Sequence, residues 1–455
     1  MASHGAPDWA GEKERFSRAR TGRYEGSGPS PGPCVELERG RGPRVLPRAE
    51  AGRTRPGAEA FLYNLQGVAG GRTLTDKEEF VVTPYEVKGR IDYAKLREQF
   101  GTQELTPALL ERLKEMAGGE LPPLLSRGVY YSHRDLGLIL DLYSDGHPFF
   151  LYSGRGPSGP LHISHLVPFE LCRWLQEKLG VEMYIQITDD EKFWARTQLT
   201  REETVRWGYE NLLDILAVGF DPKRTHVFFD SRSIAALYPL AIRVARKIPY
   251  STVKAVFGFK PSANIGLVFY TALQTVPCFY PSWESGKDVP CLIPCGIDQD
   301  PHFRVTRDIA EGLGYPKPAL IHSQMIPGLL GEGVMSTTGN EKDNALFLND
   351  PPKVVERKVR RAFTGGRTTV EEQRRLGANP EVCSVWALWK TRFAPDPKQF
   401  DQITADCRSG ALLCGDCKTH LLEKVHGFYR EHAQAREKVR SWAESTIITS
   451  APKPD

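Results

Sequence analysis

The chain has 455 residues, 40% of them hydrophobic and 25% charged, with a formal net charge of +4. This is a soluble globular composition with room for two or three domains, and so mild a charge neither requires nor excludes a nucleic-acid partner. No run of about 18 uncharged apolar residues occurs, so no membrane-spanning helix is expected, and nine scattered cysteines argue for reduced thiols in a cytoplasmic protein rather than a disulfide framework.

Residues 1–75 are rich in Gly, Pro, Ser and Arg with little hydrophobic periodicity, and are expected to form a disordered extension. Eight acids stand against eleven Lys or Arg in residues 1–60, which weakens a transit-peptide reading, and no charged start with an apolar core marks a secretory signal. Residues 76–147 read as a compact, charged, mostly helical region. Segments 92–100 and 106–116 have N-cap-type starts, the second with Pro107 at its first helical position. Ser132-His133-Arg134-Asp135 is expected to open a further helix through Leu136, Leu138, Leu140 and Leu142.

From residue 148 strands and helices alternate. The runs 148–152, 183–188, 225–230 and 291–295 read as strands, and 201–218 and 237–247 as helices. This pattern predicts an α/β domain over 148–350, with a parallel sheet and a ligand at the carboxyl ends of its strands. Strand signals stop at Asn349-Asp350-Pro351-Pro352. Residues 351–455 read as all helical, at 352–362, 370–376, 384–393, 400–407 and 418 to the end, with the last helix free to fold back on the α/β domain. Cys407, Cys414, Cys417 and His420 raise the question of zinc, but their spacing fits no common zinc pattern, so no metal site is expected.

The stretch that organises the α/β domain runs Gly154-Arg155-Gly156-Pro157-Ser158-Gly159-Pro160-Leu161-His162-Ile163-Ser164-His165. A strand, a glycine loop and a helix in succession aim backbone N–H groups at a phosphate. His162 and His165 stand three apart and share the first helical turn. Gly154, Gly156 and Gly159 match the dinucleotide pattern G-x-G-x-x-G. However, Pro157 and Pro160 crowd the loop, and no acidic residue stands clearly at the end of a second strand. The other reading is that His-x-x-His resembles the HIGH signature of class I aminoacyl-tRNA synthetases.

Four more segments bear on this. They are Thr188-Asp189-Asp190-Glu191-Lys192, Gly296-Ile297-Asp298-Gln299-Asp300-Pro301, Tyr315-Pro316-Lys317-Pro318-Ala319 and Val334-Met335-Ser336-Thr337-Thr338. In that order and spacing they resemble the tryptophanyl-tRNA synthetases of eukaryotic and archaeal type, from about residue 78 to the end. Asp298-Gln299-Asp300-Pro301 with His302-Phe303-Arg304 looks tryptophanyl, since tyrosyl enzymes usually carry basic residues after Asp-Gln. The resemblance implies a class I Rossmann-type catalytic domain with a helical anticodon-binding domain. It implies a cytoplasmic homodimer that activates L-tryptophan with ATP and Mg2+ and transfers it to tRNA(Trp).

Position by position, the resemblance implies that Tyr152 and Gln186 bind the indole N–H. Glu191, Gln274 and Gln299 would lie near the tryptophan ammonium and carboxylate. Gly154, Arg155, Gly156, His162 and His165 would hold ATP together with Met335 and Ser336 of the second ATP signature, and the two histidines, Met335 and Ser336 would be catalytic. Arg357, Lys358, Arg360 and Arg361, with Arg367, Arg374 and Arg375 nearby, are the expected contacts to tRNA phosphates. The apolar stretch 250–290 is expected to contribute to the dimer.

Two departures fall on the ATP motifs. Ser164 stands where the first signature has Gly, and Val334 stands where the second begins with Lys; Thr337 and Thr338 take its fourth and fifth places. The loop 339–344 is about two residues longer than usual and offers Lys342 as a substitute cation. Losing a cation from the transition state costs a few kcal/mol, or roughly 10² to 10³ in rate. The sequence therefore carries two main readings. One is an active ligase with an altered ATP loop and reduced activity. The other is a synthetase-like protein with weak or no catalysis, serving as tryptophan sensor, RNA binder or partner module. A nucleotide-dependent oxidoreductase is the third.

Overall fold

The computed structural model describes residues 80–82, 87–89, 91–336 and 342–450. The expected extension 1–75 lies outside them, as do Thr337 and Thr338. β1 (Phe80–Val82) and β2 (Val87–Gly89) pair antiparallel. The main sheet comprises β3 (Gln103–Glu104), β4 (Tyr130–Arg134), β5 (Phe150–Arg155), β6 (Glu182–Ile187), β7 (Thr225–Phe229), β8 (Cys291–Gly296) and β9 (Ala319–Ser323). Their spatial order is β3-β4-β9-β8-β5-β6-β7. The last five of that series are mutually parallel, and β4 and β3 close one edge antiparallel.

The parallel strands are nearly continuous apolar runs because helices cover both faces. Leu151, Met183, Ile185 and Val227 face one core, whereas Phe150, Tyr184, Phe228 and Ile293 face the other. The chain winds from β5 to β6 and β7 on one side and returns to β8 on the other. The carboxyl end of β5 is therefore the point where the winding reverses and a crevice opens.

Two expectations are corrected in this region. Ser132-His133-Arg134 does not open a helix but forms strand β4, and the helix Leu136–Ser144 starts after Asp135, which turns the chain at φ 55°. Long-range partners decide this. Arg134 forks onto Asp300 at 2.7 and 2.8 Å, and Ser132 Oγ lies 3.1 Å from His322 Nδ1 on β9. Burial alone would raise the Asp300 pKa, but the Arg134 and His322 bonds overcome it and hold it at about 2. The second correction follows the glycine loop, where a 3-10 turn, Ile163–Leu166, precedes the helix Val167–Leu179.

The helical region follows its expected outline as Pro352–Arg361, Val370–Leu376, Ser384–Leu388 with a π-helical turn Trp389–Phe393, Pro397–Ser409 and Cys414–Ala443. Val355, Leu388 and Val425 share one core with Leu161, Ile326 and Phe347. The last helix lies along Arg201–Leu216, where His432 and Arg436 reach Asp214 at 3.1 and 2.9 Å.

Candidate active site

Tyr152 and Gln186 project from the same sheet face, because Tyr152 stands opposite Tyr184 and Gly154 opposite Gln186 across β5 and β6. The Tyr152 hydroxyl donates to Gln186 Oε1 at 2.6 Å and lies 3.4 Å from the Gln274 carbonyl. Gln186 Nε2 donates in turn to both Asp230 oxygens, at 2.9 and 3.1 Å. This relay orients the amide: its NH2 faces the carboxylate and its carbonyl faces the tyrosine. Asp230 opens the helix after β7 and is fully buried; burial, then the neighbouring Asp190 charge, raises its pKa well above the carboxylate range. Sequence reasoning missed Asp230. The available signal was a carboxylate directly after strand β7, as Asp189 follows β6.

Arg155, the last residue of β5, presents a different picture. Its Nε and Nη2 are buried without a partner, and burial, partly offset by Glu191, lowers its pKa to about 10. Glu191 is buried on the helix Asp189–Ala195 and pairs with Lys192 at 2.9 Å. Gly156 lies against this helix so closely that a Cβ would come within 2.3 Å of Lys192 Cε and 2.9 Å of Glu191 Oε2. Gln274 Oε1 is likewise buried and unpartnered, whereas Gln299 Nε2 donates to Asp298 at 2.6 Å.

His162 sits on an extended segment tied to the chain beyond the second signature. Ile163 N–H donates to the Leu346 carbonyl and Leu348 N–H to the Leu161 carbonyl, at 3.0 and 2.8 Å. The rings of His162 and His165 stack with centroids 3.5 Å apart, and His165 Nδ1 accepts from the His162 backbone N–H at 3.1 Å. Ser164 is oriented toward this pair: its hydroxyl lies 2.6 Å from His162 Nδ1, and His162 Nε2 is left buried without a partner. Burial, and then the Arg155 charge, lowers both imidazoles well below 6.5 and keeps them neutral.

In the second signature Val334 pairs with Pro327, and Met335 is buried in the core with its N–H donated to Ile326 at 3.3 Å. The Met335 side chain therefore packs rather than reacts. Ser336 is exposed, and so is Lys342 at the start of the turn Lys342–Asn344. Lys358 requires correction as a tRNA contact. Its ammonium is buried, bonded to Asp350 at 2.6 Å and to the Ala345 carbonyl at 2.8 Å, out of reach of a phosphate. Arg360 is exposed beside Glu356, and Arg357 and Arg361, also exposed, share Asp343.

The sequence profile of the family described as tRNA synthetases class I (W and Y) matches residues 144–430. The chain belongs to this family. The tryptophan–tRNA ligase of Pyrobaculum calidifontis is 50% identical to this synthetase over 82% of the present chain and 99% of its own length. That of Pyrococcus furiosus is 47% identical over 82% and 95%. Among solved structures, the Plasmodium falciparum tryptophanyl-tRNA synthetase superposes with a TM-score of 0.74 at 32% identity, covering 80% of this chain and 99% of its own. ATP is a substrate of this synthetase family, so the oxidoreductase reading falls.

Proposed function

We infer that this synthetase is a tryptophan–tRNA ligase, which activates L-tryptophan with ATP and transfers it to tRNA(Trp). The observation that carries the amino-acid choice is the buried relay Tyr152–Gln186–Asp230. It fixes two oxygen acceptors, the Tyr152 hydroxyl and the Gln186 carbonyl, where an indole N–H would meet them. A side chain without that donor would leave buried polar atoms unpaired, which is the strong form of discrimination. The 47–50% identity to tryptophan–tRNA ligases supports the same reading over that of a catalytically silent sensor.

Glu191 and the unpartnered Gln274 carbonyl suit the tryptophan ammonium. Arg155 and the two neutral imidazoles suit the phosphate oxygens, as donors aimed at charge that grows when the tryptophan carboxylate attacks the α-phosphorus. Among the described residues no three His, Cys, Asp or Glu side chains assemble around one ion. Mg2+ would therefore be held chiefly by the ATP phosphates, as is usual for that ion. Arg357, Arg360 and Arg361, without Lys358, remain our tRNA-facing cations.

For the homodimer, Ile234, Tyr238 and Ile242 form an exposed stripe at four-residue spacing on Asp230–Ala245, with Tyr250 and Ile265 also exposed. Tyr238→Asp should turn a sedimenting dimer into a monomer; an unchanged dimer would move the interface elsewhere. No helix of the described residues is long and apolar enough to cross a membrane, in keeping with work in the cytoplasm. The functional test is aminoacylation of a tRNA(Trp) transcript. Charging with tryptophan and not tyrosine is expected, and tryptophan binding without charging would overturn the ligase reading in favour of the sensor.

A further inference from the structure

Cys383, Cys407, Cys414 and Cys417 come from three separate helical segments, yet all four line one cavity in the helical region, beside Trp386 and Trp389. Cys383 caps the helix Ser384–Leu388, Cys407 lies near the end of Pro397–Ser409, and Cys414 and Cys417 share one face of the first turn of Cys414–Ala443. The cavity is small, about 20 Å3, and it opens to solvent on one side.

The sulfurs do not converge as ligands of a single ion would, for no three of them meet around one point. A tetrahedral zinc site draws its sulfurs to about 2.3 Å from the metal. Here they ring a space instead. Four thiols brought to one place without a common centre fit a body with four attachment points of its own, as an iron–sulfur cube has at its irons. His420, grouped with these cysteines in the sequence, is exposed, and Cys383 stands in the cavity instead.

Burial raises the Cys383, Cys407 and Cys417 thiols, and nearby donors offset part of that. The backbone amides of Trp386, Gly365 and Val385 aim at the Cys383 sulfur, the first at 3.4 Å. Cys414 and Cys417 sit at the positive end of a 30-residue helix. Lys418 is close enough to interact with Cys414, Cys383 and Cys417, and its ammonium is anchored on the Arg360 carbonyl at 2.7 Å. Gly366 leaves room for the Cys414 sulfur, which would stand 2.8 Å from a Cβ at that position.

We propose that Cys383, Cys407, Cys414 and Cys417 ligate a four-iron, four-sulfur cluster in the helical region. The cluster would cross-link the three segments that carry them, far along the chain from the residues of the ATP and tryptophan site.

The test is to produce the full chain with added iron and cysteine, purify it without air, and measure iron, zinc and acid-labile sulfide. About four irons and four sulfides per chain are expected, with a broad visible absorption that bleaches and an electron paramagnetic signal that appears on reduction with dithionite. Cys407→Ser and Cys414→Ser should each lose most of the iron while tryptophan-dependent pyrophosphate exchange persists. If either variant proves insoluble, the iron, sulfide and resonance data of the unmodified chain decide alone. About one zinc per chain without sulfide would overturn the cluster in favour of a single ion. A colourless, metal-free protein after anaerobic incubation with ferrous iron and sulfide would overturn the site altogether.

Discussion

Tyr152 and Arg155 are three residues apart on the same strand, yet their surroundings are built in opposite ways. Around Tyr152 the polar atoms close on one another, hydroxyl to amide carbonyl and amide NH2 to carboxylate. Around Arg155 they stay open: two guanidinium nitrogens and the neighbouring His162 Nε2 are buried with nothing to bond. An unmet buried polar group costs about 1–3 kcal/mol. The difference teaches which part of a ligand each half awaits. A neutral ring with one N–H is met by acceptors already locked in place, whereas charged groups are met by donors and acceptors held vacant until they arrive, so that their cost is recovered only on binding.

The largest effect should come from emptying the open half. Arg155→Ala or His162→Ala should slow pyrophosphate exchange by roughly 10² to 10³ while calorimetry finds tryptophan binding little changed. Loss of tryptophan binding of the same size would erase the division between the halves. Next is the closed half. Gln186→Ala strands Tyr152 and Asp230, and tryptophan KM should rise by the equivalent of about 1–3 kcal/mol, roughly 5- to 150-fold, with ATP KM unchanged. An equal rise in ATP KM would mean the relay also shapes the nucleotide site.

A smaller effect is expected at Ser164. Its hydroxyl holds His162 Nδ1, so Ser164→Gly should lower exchange by about 1 kcal/mol, on the order of fivefold. Faster exchange would show instead that the hydroxyl crowds the nucleotide.

The smallest effect is on stability, where the two halves respond to pH with opposite sign. Burial, then Asp189, raises the Asp190 pKa to about 7 from its ordinary 3.8. The native state therefore holds that proton longer than the unfolded chain does, and this stabilisation fades as pH rises from about 4 to about 7. The imidazoles of His162 and His165 have lowered pKa values, so their contribution is present above 6.5 and fades as pH falls below it. Asp190→Asn mimics the protonated acid. It should raise Tm at alkaline pH and leave it unchanged in acid. A shift of equal size at both ends would assign the effect to packing.

Much of this division was legible in the sequence, because strands β5 to β8 are short apolar runs punctuated by turn residues, and burial on both faces writes itself into such runs. What escaped was set by partners distant in the chain. In the segment Tyr130–Arg134 only the two tyrosines favour a strand, Ser132-His133-Arg134 do not, and Arg134 finds Asp300 only after 166 residues. β9 is five buried residues behind a proline-rich turn, and its His322 and Ser323 interrupt the apolar run after Ile321. Lys358 was readable after all, since Val355, Lys358 and Val359 stand at core-facing spacing on one helix, but a run of basic residues invites a surface reading. Cys383 lies too far from Cys407 for spacing to join them; only the folded helices do.

The most direct test of the account is tryptophan-dependent ATP–pyrophosphate exchange by the unmodified chain, with tyrosine and phenylalanine as controls. The open half around Arg155 and His162 predicts clear exchange despite Val334, and the closed half predicts it with tryptophan alone. No exchange, with tryptophan still bound, would contradict the claim that those vacant groups hold ATP for reaction.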